Sequence, residues 1–200
     1  MNAIIKREKT LLYLSRLFFV MLIFSFAGWI WEVIHVSILA GELVDRGFLF
    51  GPICPIYGLT MVAAYLLLGS PNKPRGILRF TRGRWFQYPL YTIAAIALPT
   101  LVELIVGMGC EFLFGIRLWD YAHYVIMIGG QEVALHYMGY IAVPISLIWL
   151  VLIYVTMGFV FPAFLGLTEK LQPKVAKILA AILAIVLGID VVASCVAALI

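Results

Sequence analysis

An all-α, polytopic membrane protein with five transmembrane helices is the fold this sequence predicts, and three observations predict it. The 200 residues are 64% hydrophobic and 12% charged, with a mean hydropathy of +1.10, whereas a soluble domain carries about 25% charged residues. Five apolar segments approach the ~20 residues that a membrane crossing needs. The basic residues fall almost entirely in short stretches between them. Together these give one transmembrane domain over residues 1–200, with helices at about 11–39, 55–69, 88–114, 138–165 and 175–200.

Taken in order, the first apolar run follows Lys6, Arg7, Lys9 and Arg16 and so begins like a signal peptide. It continues to about Leu39 without an A-x-A-like cleavage site, which reads as a retained first helix. The second helix is short unless residues 48–54 also dip into the membrane. Gly51, Pro52 and Pro55 break helical hydrogen bonding there, so a re-entrant or bent start is expected, covered by protein or water. The third and fourth segments contain Pro99 and Pro144, each expected to kink its helix. The fifth is interrupted by Asp190.

Orientation follows from counting Lys and Arg. Twelve of the fourteen lie at the N-terminal end, between helices two and three, or between helices four and five, leaving only Arg46 and Arg117 opposite. The positive-inside rule then puts the N-terminus in the cytoplasm and the C-terminus outside. The loop at 70–85, SPNKPRGILRFTRGRW, alternates basic residues with Ile77, Leu78, Phe80 and Trp85. It reads as a topology signal resting on anionic headgroups, ahead of a docking surface for a cytoplasmic partner.

Several function classes drop out. The net charge of +4 is spent on topology, so no nucleic-acid partner is expected. No GxxxxGK[ST] string occurs, so the chain does not hydrolyse ATP by a P-loop of its own. Cys54, Cys110 and Cys195 fit neither a zinc pattern nor a CxxC redox pair. A disulfide between Cys54 and Cys110 near the outer surface is one reading, and buried free thiols are the favoured one.

Helices one and three, which run in the same direction, carry matching features. Each has Gly-x-x-x-Glu near its outer end, Gly28 with Glu32 and Gly107 with Glu111. Each leads to an outer segment with an aspartate in an aromatic or glycine framework, 43–48 with Asp45 and Arg46 in one case and 114–121 with Arg117, Asp120 and Tyr121 in the other. The pattern predicts a parallel repeat of two helix–loop–helix units plus a C-terminal helix, with Glu32 and Glu111 at a shared interface.

The candidate chemistry lies on these faces. Ser25, Gly28, Glu32 and His35 share one side of the first helix, and Thr100, Glu103, Gly107 and Glu111 one side of the third. Carboxylates beside small residues suit helix contacts and are prohibitive toward lipid. Arg46, Arg117, His35, His123 and His136 are the available partners. Two readings stand. In one, Asp45, Arg46, Arg117, Asp120 and Tyr121 form a structural network that locks the outer loops. In the other, Glu32, His35, Glu103, Glu111 and Asp190 bind a polar solute or protons, with Glu103 and Asp190 able to stay protonated among apolar neighbours. Glu32 and His35 also make a conceivable acid–base pair for a membrane-embedded enzyme acting on a lipid or isoprenoid. A metal site on Glu32, His35 and Glu111 has no specific spacing behind it. No metal or other cofactor is expected, and no catalytic residue is assigned.

Residues 24–58, FSFAGWIWEVIHVSILAGELVDRGFLFGPICPIYG, resemble the signature of the CmpB-like, ABC-transporter type IV family of bacterial membrane proteins. Residues 102–121, VELIVGMGCEFLFGIRLWDY, resemble the family's E…G-x-x-x-E-x-x-F-G-x-x-x-W-D-Y region. The likeness covers helices one to four. Asp45 stands where Asn is common, and 122–137 departs from the polar, basic run of the family. The resemblance implies a permease-like or transport-associated protein in a bacterial plasma membrane, handling a small polar solute or ion. It further implies separate ATPase subunits and, with only five helices, a homo-oligomer. The non-catalytic alternative is a membrane scaffold.

Overall fold

The computed structural model describes residues 2–79 and 83–200, and of Asn2, Ala3, Leu39 and Arg84 the backbone alone. Phe80 and Arg82 of the basic loop therefore lie outside the described residues. The chain is 70% helical. In order come α1 (Asn2–Ala40), α2 (Pro55–Leu67), α3 (Arg84–Phe114), α4 (Val143–Val155), a π-turn (Thr156–Val160), α5 (Phe161–Glu169) and α6 (Pro173–Ala197). Among the described residues four helical stretches are long and apolar enough to cross a membrane: Ile4–Ile38, Trp85–Phe114, Val143–Glu169 and Pro173–Ala197. α2, with 13 residues, is about 20 Å long.

Three expectations need correction. The first helix starts at Asn2 and not near Leu11, because Lys, Arg and Glu are good helix formers and nothing in the first turns breaks the run. Pro144 does not kink the fourth helix. It sits in the first turn of α4, where its missing N–H is no loss. The distortion of that span falls instead on the π-turn just ahead of Pro162, since proline there cannot donate to the preceding turn. Nor is the chain purely helical. Antiparallel two-stranded sheets join β1 (Gly69–Ser70) to β2 (Lys73–Pro74), β3 (Val125–Ile128) to β4 (Gln131–Ala134) and β5 (His136–Tyr137) to β6 (Ile141–Ala142). The β3–β4 turn is Gly129-Gly130, both with positive φ, the type I′ geometry that suits a tight hairpin.

The chain divides into two compact units, Met1–Val62 with Val160–Ile200, and Ala63–Phe159. In the first, α5 and α6 pack along α1. Leu17, Val20 and Met21 meet a core that includes Phe161, and Phe24 stacks on Phe161 and meets Phe164 edge-on. Ala176 and Ala180 are buried on α6, small residues that let helix backbones approach. Two ion pairs, Arg16 with Glu169 and Lys177 with Glu8, tie the basic end together.

In the second unit α3 packs on α4. Hydroxyl pairs cross that contact, Thr92 with Tyr154 at 2.8 Å and Thr100 with Ser146 at 2.9 Å. The loop after α2 folds back on its own unit: Tyr91 donates to the Gly69 carbonyl, Arg75 lies over the Tyr65 ring and Leu78 is buried. Ile77 and Trp85 stay exposed.

Candidate functional site

In the first unit the chain leaves α1 at Ala40 and returns along it. The Cys54 amide donates to the Ser25 carbonyl at 3.0 Å, and Ser25 lies about 22 Å from the Ala40 end at 1.5 Å per residue. Residues 48–54 thus re-enter deeply before α2 begins. Further contacts hold the connection. Ser37 Oγ accepts from the Val44 amide at 2.9 Å. Asp190 on α6 accepts from the amides of Phe50 at 3.0 Å and Gly51 at 2.9 Å, and from Ser194 Oγ at 3.2 Å. A Cβ on Gly51 would lie 2.7 Å from Asp190 Oδ2, so the approach requires glycine.

Glu32 is the centre of this region. The Tyr57 hydroxyl donates to its Oε1 at 2.5 Å, and Arg46 Nη2 lies 3.8 Å from Oε2. Tyr57 also lies over Gly28, one turn before Glu32, so closely that any side chain there would collide with its ring. Cys54 is buried beside this group.

The second unit holds a comparable set of residues. Tyr140 and Trp119 lie over Gly107, at 3.1 and 3.2 Å from a Cβ built there. The Tyr140 hydroxyl bonds to Glu111, one turn after Gly107, and burial together with that bond raises its pKa. Arg117 Nε lies 3.8 Å from Glu111 Oε2 and its guanidinium stacks 4.9 Å over the Tyr140 ring. Oε2 is buried and accepts no hydrogen bond among the described residues. The loop closes on a turn at 138–140. Arg117 donates to the Met138 carbonyl, Trp119 Nε1 to the Tyr140 carbonyl at 2.8 Å and the Tyr121 amide to the Gly139 carbonyl at 2.9 Å. Asp120 pairs with Arg117 at 3.7 Å and accepts from the Ala122 amide. A Cβ on Gly139 would collide with Asp120 and Arg117. Deeper in α3, Glu103 is only 5% exposed and accepts from the Tyr121 hydroxyl at 3.2 Å.

Of the residues singled out from sequence, Glu32 meets Arg46, and Glu111 meets Arg117 with Asp120 beside it. Tyr121 reaches Glu103. Asp190 binds loop amides. Asp45 is exposed and joins none of the ion pairs among the described residues. The histidines are engaged elsewhere: His35 is exposed and stacks on Trp31, His123 lies against Tyr124, and His136 Nδ1 accepts from the Gly139 amide. Among the described residues no three His, Cys, Asp or Glu side chains gather as a metal site. None of the three cysteines is in a disulfide. Sequence reasoning missed Tyr57 and Tyr140. The available signal was a tyrosine beside glycine or proline at the start of the second helix of each pair.

Glu32, Arg46 and Tyr57 lie inside the first motif quoted above, and Glu111, Arg117 and Asp120 inside the second, with Tyr140 beyond it; the comparison with protein families decides what they belong to. The profile of the family described as "Putative ABC-transporter type IV" matches residues 18–195. The chain belongs to this family. The match runs past helices one to four into α6, so Asp190 is within it as well. ABC-transporter type IV membership and four long apolar helices make this a transporter-type membrane protein. No curated protein and no solved structure matches the chain.

Proposed function

We propose that this ABC-transporter type IV protein is a permease-like subunit of the bacterial plasma membrane that handles a small polar solute or ion through carboxylates at the outer ends of α1 and α3. The observation that carries the reading is Glu111 Oε2, a buried carboxylate oxygen with no hydrogen bond among the described residues and its arginine held at 3.8 Å. That separation exceeds hydrogen-bond length, so the oxygen keeps capacity for a ligand. Glu32 and Arg46 stand at the same distance. Glu103, buried in α3, is the proton-coupling candidate.

Five crossings follow if α2 counts as one. Its shortness is no obstacle, because the re-entrant stretch delivers the chain to the depth of Ser25 before the helix starts. The distribution of basic residues then puts the N-terminus in the cytoplasm and the C-terminus outside. The matched Gly–Tyr–Glu–Arg sets support an internal repeat of helix–loop–helix units. ATP hydrolysis falls to separate subunits, and a chain of this size works as a homo-oligomer.

Uptake into proteoliposomes tests the reading, with and without ATPase subunits, using a panel of amino acids, monovalent cations and a trapped pH dye. Glu111→Gln and Glu32→Gln are expected to abolish uptake of whichever probe moves. No movement of any probe in either preparation refutes the transport role. A second reading has its own support: Arg117 also anchors the 138–140 turn, as a purely structural clamp would. It predicts that Glu111→Gln lowers stability and leaves transport by the folded fraction intact.

A further inference from the structure

We propose that the β3–β4 hairpin lies in the membrane interface, with one face against lipid and the other toward headgroups and water. Directly opposite residues of an antiparallel pair share a face, and the register here pairs Val125 with Ala134, Ile126 with Val133, Met127 with Glu132 and Ile128 with Gln131. One face therefore presents Ile126, Ile128 and Val133, with uncharged Gln131 at its tip. The opposite face carries the hairpin's only charge, Glu132, beside Val125, Met127 and Ala134. All eight strand residues are exposed, so nothing within this unit covers either face.

Continuity identifies lipid as what covers the apolar face. The hairpin leads into a membrane span whose approach is itself apolar and bare: Tyr137 and Met138 just before α4, and Val143 at its start, with the Val143 amide bonded to the Leu135 carbonyl at the foot of β4. The hydrocarbon boundary thus reaches the base of the hairpin. Tyr121, His123 and Tyr124 cluster at that base, and tyrosine favours headgroup level. Strands of four residues reach about 13 Å, enough to lay the three β-branched side chains along the interface and too short to enter the core upright. Lying flat also leaves the two open strand edges among water and headgroups, where their amides and carbonyls find partners. A charge on one side only gives the ribbon the polarity of an interfacial element.

The test is site-directed fluorescence on the full chain in proteoliposomes, with Cys54, Cys110 and Cys195 replaced by alanine. An environment-sensitive label is placed singly at Ile128→Cys or Glu132→Cys, and lipids carrying a nitroxide near the headgroup serve as quencher. The label at 128 is expected to be quenched at least threefold more strongly than the label at 132, independent of protein-to-lipid ratio. Equal, weak quenching at both positions would place the hairpin in water and overturn the proposal. Shielding at 128 that appears only at high protein density, without lipid quenching, would assign the face to a second copy and overturn it too. The label at Val133→Cys is the second reporter, expected to follow 128, should the 128 variant fail to fold.

Discussion

Asp190→Asn is the most informative single change in the first unit. The carboxylate holds two loop amides and a serine hydroxyl with two oxygens, Oδ1 taking Phe50 and Ser194 and Oδ2 taking Gly51. Asparagine keeps one acceptor oxygen, so whichever way its amide turns, an NH2 group faces a backbone N–H. A hydrogen bond to a charged group contributes roughly 1.5–3 kcal/mol. Because Asp190 is partly exposed, water relieves some of the loss, and about 2 kcal/mol is expected. At 1.4 kcal/mol per tenfold, opening of the re-entrant stretch becomes roughly 30-fold more frequent. Hydrogen–deuterium exchange of the peptide covering residues 48–54 in nanodiscs reads this directly, against Ser194→Ala, which removes two longer bonds of 3.2 Å, one to Asp190 and one from the Phe50 amide, and should accelerate exchange less than Asp190→Asn. Unchanged exchange in Asp190→Asn would refute the anchoring role. So would equal acceleration across α6, which would mean that the helix itself had come loose.

The remaining predictions concern the paired clusters and the buried thiol. Gly28→Ala should cost about 3 kcal/mol and Gly107→Ala about 1, because the first forces the whole Tyr57 ring to move while the second needs shifts of tenths of an ångström; thermal unfolding in detergent ranks them. A double-mutant cycle of Tyr57→Phe with Glu32→Gln should give a coupling of about 1 kcal/mol or more, and Tyr140→Phe with Glu111→Gln likewise; additive effects would dissolve the pairs. Cys54, buried where its amide meets the Ser25 carbonyl, should alkylate far more slowly in the folded protein than after unfolding; equal rates in both states would contradict its burial.

Much of the fold was legible because its signals are long. Apolar runs of twenty or more residues, bounded by charges or prolines, marked α3 and α6 within a few residues, and the end but not the start of α1. Where signals are short and compete, reading failed. Pro144 and Pro162 look alike in sequence, yet only the second stands inside a continuous span, and the difference depends on the β6 strand and the turn at Met138 and Gly139. The β3–β4 hairpin had a fair signal in VIMIGGQEVA, overlooked because an apolar strand resembles the start of a membrane helix. In the candidate site, Glu32 and Glu111 declared themselves by being charged in apolar surroundings. Tyr57 and Tyr140 could not, since tyrosine is unremarked near a membrane surface and its role depends on which glycine its ring covers.

The length of α1 has a mechanical consequence. Thirty-nine residues make a rod of about 58 Å, against a hydrocarbon layer of about 30 Å. The rod is therefore nearly twice as long as that layer is thick, the excess taken up by tilt or by projection beyond it. The pairs Arg16–Glu169 and Glu8–Lys177 are stays rigged at two heights along it, so a sideways push near Lys6 or Lys9 is carried down the rod toward Gly28 and Glu32.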